Sequence, residues 1–413
     1  MVRKKEIVFI ESDRRGAGVY AMRLARDWGY SIRFLTRSPD YYGDGSKSPT
    51  ELADVIDVVD TFDATRILYS VDWKRTGAVL AFNDYHLVPA ALAAQALSLP
   101  HASLAGLINA RFKDRTRQCL ANCPGNPVFD VLDLDQCDLQ FKPGWGYPCV
   151  VKPVDDSGSH GVYISKDSQS LVSAIANVQK RAVNARGYTL TRRCLVEKYI
   201  EGSEFSAELF WDARKKDWFL LGFTRKIVTP PPLAFELGHI FPHSFPLELA
   251  NHLESRIRQW LSKVGLRGLA AHVEFRLDGN DPFCMEINPR LGGDEIDTLT
   301  SLALTIDPIA WYLKLHLGKQ IDFPASPTVS RQLAGVRFLL PDKPGCVTYV
   351  AFNNETPVGV EKVYLTHALP KTVAGDRRIT DRLGYIVVVG QDAQEINNKL
   401  DSVISKVSIH YAP

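Results

Sequence analysis

HVEFRLDGNDPFCMEINPRLGG, residues 272–293, places Glu274, Glu286, Asn288 and Arg290 on one β-hairpin. Glu274 falls in an alternating strand pattern, Asp278 to Asp281 supply the turn, and Phe283 to Ile287 alternate again. Two carboxylates and an amide can then converge at the strand ends. Hard oxygen donors of this kind suit Mg²⁺, which binds through one or two carboxylates together with substrate phosphates. The plain alternative is that both glutamates decorate the solvent face of a hairpin, so the rest of the chain has to decide.

Working outward, Lys152 sits in CVVKPV (149–154), an apolar run that reads as a buried strand. A lysine there is costly unless it meets an anion. DDSGSHG (155–161) follows at once, and its Gly158 and Gly161 let backbone N–H groups, with Ser157 and Ser159 beside them, come close to a phosphate. Strand, lysine and glycine loop together point to a triphosphate. LVEKYIEGSEFSAELF (195–210) then reads as strand, turn at Gly202 and strand, an extended backbone that can hold adenine, with Glu204 placed for ribose hydroxyls.

In this order, across most of residues 1–320, the segments resemble the ATP-grasp superfamily. The resemblance implies that Lys113, in FKDRTRQCL, and Lys152 contact phosphates. It likewise implies that Glu197 faces the adenine amino group, that Lys198 and Ile200 offer backbone hydrogen bonds to the ring, and that Glu204 holds the ribose. Glu274, Glu286 and Asn288 would ligate Mg²⁺, or Mn²⁺ in its place, and Arg290 would steady the transferred phosphate. Within the superfamily the chain is most similar to the L-amino-acid (dipeptide) ligases. FELGHIFP (235–242) resembles their segment in which a glutamate and a histidine, here Glu236 and His239, face the amino-acid substrate; the chain also continues well past Arg290, as theirs does. Read from the residues alone, His239 can equally be a loop histidine satisfied by a backbone group.

The resemblance implies an ADP-forming acid–amino-acid ligase that works through an acyl-phosphate, with a small-molecule carboxylate and an amine as substrates. Glu236 or His239 would take the amine's proton or hold its ammonium. Asp84, Asp294 and Glu295 are further candidates for the substrate pocket, each with a plainer reading as a helix cap or solvated acid. A biotin-dependent or purine-pathway carboxylase would share the ATP site and activate bicarbonate instead. A non-catalytic nucleotide sensor would not need the metal carboxylates.

Composition restricts the partners. Lys+Arg number 49 against 47 Asp+Glu, a net charge of +2, which gives no electrostatic case for nucleic acid or an anionic membrane. The start, MVRKKEIVFIES, has too short an apolar run for a secretory signal, and no stretch approaches a membrane span. The seven cysteines are scattered, with only Cys119 and Cys123 close together and no zinc spacing. A cytoplasmic enzyme with reduced thiols is expected, and a homodimer is an allowed assembly.

At 413 residues two or three domains are expected. EIVFIES (6–12), GVYAMRLARDWG (18–29), YSIRFLTRS (30–38), an apolar strand at 78–82 and VPAALAAQALSL (88–99) alternate strand with helix, which implies parallel βαβ units. The overall class is α/β and α+β: a Rossmann-like domain over 1–108, an ATP-grasp domain with antiparallel sheets over 109–320, and an α+β unit over 325–413. In the second, 171–183 and 249–266 read as helices, and Pro230 to Pro232 as a stiff substrate-facing connector. In the third, strands begin in RQLAGVRFLL, KPGCVTYVAF, VEKVYLTHAL and LGYIVVVGQD, and a helix covers 393–407. Gly16, Gly18 and Ala21 fit a degenerate dinucleotide pattern, but the glycines stand away from the first strand and Arg37, not an acid, closes the second. A shape role for them is expected.

Overall fold

In the computed structural model, residues 5–43, 48–136, 141–229, 235–324, 332–352, 358–366, 368–374 and 381–412 are described. The proline connector at 230–232 lies outside them. The first unit is a parallel four-stranded sheet in the order Val55–Val58, Ser31–Thr36, Glu6–Ile10, Thr76–Leu80. The edge strand Val55–Val58 escaped the sequence pattern because its side chains are largely exposed, so it carries no apolar alternation. Helix Ala17–Asp27 buries Gly18, Val19, Ala21, Met22 and Ala25 against this sheet. Gly18 does have a packing role: a Cβ there would lie 2.3 Å from Ser12 Oγ.

Every other named strand pairing is antiparallel. A small sheet, ordered Phe129–Asp133, Arg193–Lys198, Cys149–Pro153, Tyr163–Ser165, packs on helix Ser168–Gln179. Facing it is an eight-stranded sheet that runs Asp281–Asn288, Ala270–Asp278, Ser203–Asp212, Asp217–Val228, Glu236–His243, Leu333–Leu339, Gly384–Gly390, Val360–Leu365. The last three strands belong to the C-terminal part of the chain, so that part extends the sheet carrying the hairpin. Helix Leu247–Val264 buries Leu253, Ile257, Trp260, Leu261 and Val264, the spacing of one helical face, and ends on Gly265 in the left-handed region. The expected helix at 393–407 stops at Ile404. Val407–Tyr411 is instead a strand that pairs antiparallel with Gly345–Phe352, a tertiary contact that overrides the local helical pattern.

Gly202 fixes how the adenine-side strand enters the large sheet. Its φ is +104°, and a Cβ would stand 1.7 Å from the carbonyl oxygen of Leu277. Gly202→Ala is expected to lower stability by about 1–3 kcal/mol from backbone strain alone, with the steric clash in addition. A urea-unfolding midpoint equal to the parent's would show that this approach is not needed.

Candidate functional site

The two carboxylates of the hairpin are direct cross-strand partners. Glu274 pairs with Glu286, and His272 with Asn288, across a turn at Gly279 and Asn280. Opposed residues of an antiparallel ladder share a face, and this face looks across a cleft at the small sheet. The cleft holds about 890 Å³ open to solvent and is lined by Lys113, Lys152, Ser157, Ser159, Glu197, Lys198, Ile200, Glu204, Glu236, Glu274 and Glu286, among others. So most of the residues singled out from sequence meet in one place.

The cations on one side are held by acids. Lys113, at the first position of helix Lys113–Cys119, lies 3.1 Å from Glu286 and donates to the Asp156 carbonyl at 2.7 Å. Lys152 stands 2.5 Å from Glu197, which also takes Arg117 at 2.8 Å. Burial pushes the Glu197 carboxyl up, but Arg117 and Lys152 outweigh it and hold it below its ordinary value. Burial outweighs Glu197 at Lys152, whose pKa is lowered. Glu197, expected to face adenine, thus also anchors Lys152. The Lys198 N–H is spent on the Val128 carbonyl at 2.9 Å, which leaves only its carbonyl for a base. Glu204 accepts from Arg276 at 3.0 Å.

The loop between these strands turns on three left-handed residues, Gly158 at +66°, Ser159 at +57° and Gly161 at +75°. Ser157 is tied to the first domain: its N–H and hydroxyl both meet the Tyr85 hydroxyl, at 3.2 and 2.9 Å, and Tyr85 donates to Asp156 at 2.6 Å.

At the other end of the cleft stands a residue that the sequence reading missed. Lys226, buried on strand Asp217–Val228, has its Nζ 2.8 Å from Glu236, 2.8 Å from Glu274 and 3.3 Å from Glu204. The argument applied to Lys152, a lysine inside an apolar strand, would have found it in LLGFTRKIV. Burial works against its charge, but the three carboxylates raise its pKa well above the ordinary value. Glu274 also accepts from His272 at 3.1 Å, whose other nitrogen meets Glu208 at 2.8 Å. Burial lowers His272, but Glu208 and Glu274 more than reverse it, to about 9. The donor set Glu274, Glu286 and Asn288 fits a hard divalent cation: two carboxylates on opposed positions and an amide one step along the same face.

Glu236 and His239 stand three residues apart on one strand, a spacing that normally splits two side chains between faces. A bulge brings them together: Val228 pairs with Glu236 while Ile227 pairs with Gly238, so Leu237 is skipped and the alternation resets. His239 Nε2 lies 3.6 Å from Glu236. The ring is buried, and neither nitrogen has a hydrogen-bond partner among the described residues, so no backbone group satisfies it. Burial drives its pKa down to about 3, which leaves a neutral imidazole at neutral pH. Burial and the neighbouring acids push Glu236 up to about 7, against the pull of Lys226. Asp294 completes the group, with ligand atoms of all three within 4.8 Å of one another.

Asp294 also opens onto a second, larger cleft, of about 2900 Å³, between the first domain, the Gly292–Thr298 segment and the C-terminal strands. Arg382 joins the two spaces, 2.9 Å from Asp294 and 4.0 Å from Glu236. Arg290 is held by both oxygens of Asp84 at 2.7 Å. Burial raises Asp84, but Arg290, Arg111 and Lys113 together bring it down to about 2. Glu295 stands at the N-cap of helix Ile296–Leu304, but its side chain caps no backbone N–H and pairs instead with Lys362 at 2.9 Å.

Comparison with known proteins finds relatives of the expected kind. Residues 145–298 match the ATP-grasp domain family. Among curated sequences the chain is 26% identical over 272 residues to the uncharacterized protein y4rH of Sinorhizobium fredii, covering 65% of this chain and 54% of that one. It is 25% identical over 374 residues to carnosine synthase 1 of Gallus gallus, covering 82% of this chain and 38% of that one. It therefore spans about half or less of the length of these relatives. Among solved structures, the L-amino acid ligase of Bacillus licheniformis superposes with a TM-score of 0.80 at 20% identity over the whole of both chains.

His272 offers a test of the buried charge network. A histidine raised from its ordinary 6.5 to about 9 in the fold contributes stability that is complete below pH 6.5 and lost as pH rises through 9. His272→Gln should therefore lose less stability than the parent between pH 6.5 and 10 in thermal unfolding. Parallel curves for the two proteins would remove the ion pair from the account.

Proposed function

We propose that this chain, which carries an ATP-grasp domain, is an ATP-dependent carboxylate–amine ligase of the acid–amino-acid, ADP-forming type. The observation that carries the reading is the junction at Glu236. On one side lies a cleft with Lys113 and Lys152 facing the Glu274–Glu286 pair; on the other, a group of three acceptors that opens on a second cleft. The first suits a nucleotide triphosphate, with Ser157, Gly158, Ser159 and Gly161 over the phosphates, the Lys198 carbonyl and Ile200 beside the base, and Glu204 at the ribose. The second suits an amine.

Glu274, Glu286 and Asn288 would hold Mg²⁺ or Mn²⁺, which when bound neutralises phosphate oxygens. An oxygen of the substrate carboxylate attacks the γ-phosphorus and ADP leaves, a step that needs positioning and charge compensation more than covalent help. Lys113, Lys152 and Arg290 offset the charge that the entering carboxylate adds, and Asp84 fixes the guanidinium in advance. The amine nitrogen then attacks the acyl carbon, phosphate leaves, and the nitrogen gives up a proton. A primary ammonium has three N–H donors, and Glu236, His239 and Asp294 present three acceptors within one small volume. Glu236, poised near 7, is fit to receive the proton, whereas His239, held neutral by burial, can accept a hydrogen bond from the ammonium without taking its proton.

ADP and phosphate should appear in equal amounts, with a new amide detected by mass, only when a carboxylate and an amine are both supplied. Phosphate release that follows bicarbonate and ignores every amino acid would replace this reading with a carboxylase. Glu286→Gln should abolish ATP turnover while the circular dichroism spectrum stays that of the parent; turnover within a few-fold of the parent would dismiss Glu286 as a ligand. Arg290→Ala should keep ATP affinity and cut kcat by about 10²-fold, the size typical of losing one preorganised charge-stabilising donor. Weakened ATP binding with intact kcat would make the arginine a nucleotide contact instead.

A further inference from the structure

The second cleft has two walls of opposite character. Asp294, Glu295 and Asp297 stand on one, and Arg14, Arg15 and Arg23 on the other, where Asp40 also lines the space and Asp13 is paired with Arg186 at 2.9 Å. On the acidic wall Asp294 and Glu295 already pair with Arg382 and Lys362. On the basic wall none of the three arginines has a carboxylate within ion-pair distance among the described residues. Arg14 donates to the Tyr41 carbonyl at 2.5 Å and lies over the Tyr41 ring at 4.3 Å, while Arg15 lies 5.2 Å over the ring of Tyr364. Aromatic faces hold two of the guanidinium planes without neutralising them.

The backbone adds to the same field. Helix Ala17–Asp27 starts between these arginines at Gly16, which has no side chain to cap it, and its first turn carries no acid. Its free N–H groups and positive dipole end therefore stay available to an anion. Three guanidinium groups without a carboxylate partner and an uncapped helix start thus border the same part of the cleft, a field that favours an anion there.

We propose that Arg14, Arg15 and Arg23 form a subsite for an oxyanion, a carboxylate or a phosphate monoester, carried by the amine substrate at a distance from its reacting nitrogen. This rests on the ligase reading, in which Asp294 takes part in holding the ammonium at the other end of the cleft. A substrate with charges at both ends spans the two walls. A neutral side chain leaves the arginines hydrated and gains nothing from them. The subsite thus sets specificity and takes no part in the bond-forming steps.

The test uses matched amines that differ only in the distal anion: O-phospho-L-serine against L-serine, and L-glutamate against L-glutamine. With the full chain, ATP and a panel of carboxylate donors, kcat/KM should favour the anionic member of at least one pair by tenfold or more. Whichever pair shows the preference tells phosphate from carboxylate. Arg15→Ala/Arg23→Ala should bring that ratio down to near one, and Arg15→Lys/Arg23→Lys should restore part of it. A parent enzyme indifferent to the distal charge, or a variant that keeps the preference, overturns the proposal. Calorimetric titration with O-phospho-L-serine and with L-glutamate needs no turnover. Binding of either that is lost in the double alanine variant supports the subsite even if no amide forms, an outcome that would count against the ligase reading alone. Failure of both to bind the parent counts against the subsite alone.

Discussion

Lys226 and the acids around it are the constraint on which the rest of the site depends. One ammonium group sits within reach of Glu204, Glu236 and Glu274, which come from three different strands of the large sheet. Three carboxylates brought this close repel one another, and the buried cation is what allows them to share a cleft wall. Removing one partner from a buried ion pair typically costs about 3–5 kcal/mol, because the other charge is left uncompensated.

That logic extends along the cleft. Lys113 rests on Glu286, Lys152 on Glu197, and Arg290 on Asp84, so each of these cations is held by a carboxylate. On the proposed reading, a polyphosphate would exchange one set of anions for another. Each charge is neutralised locally, and the acids fix the positions of the long side chains.

Much of the site could be read from the chain because its chemistry is local. The hairpin at 272–293 was legible from alternation and turn residues, and Glu274 does oppose Glu286. Lys152 and the glycine loop were legible because a charge in an apolar strand and left-handed residues in a row are rare without a reason. Lys226 carried the same signal and was passed over. The kinship of Glu236 and His239 was visible only as a resemblance, since their spacing argues against a shared face until the bulge at Leu237 is known. His272 and Glu208 gave no sign at all, because nothing in strand alternation says which polar residue finds a buried partner 64 positions away.

The sequence by itself determined the alternation of strands and helices, the hairpin and its two carboxylates, the loop on which Gly158 and Gly161 turn, and the near balance of charge. These follow from side-chain period, backbone freedom and composition, all of which act over a few residues. Only the tertiary structure decided that the C-terminal strands extend the hairpin's own sheet, that Asp84 of the first domain grips Arg290, and that Arg14, Arg15 and Arg23 share a cleft with Asp294. Those outcomes depend on which segments pack together over long sequence separations. Charge pairing there is settled by distance in space, which no local pattern encodes.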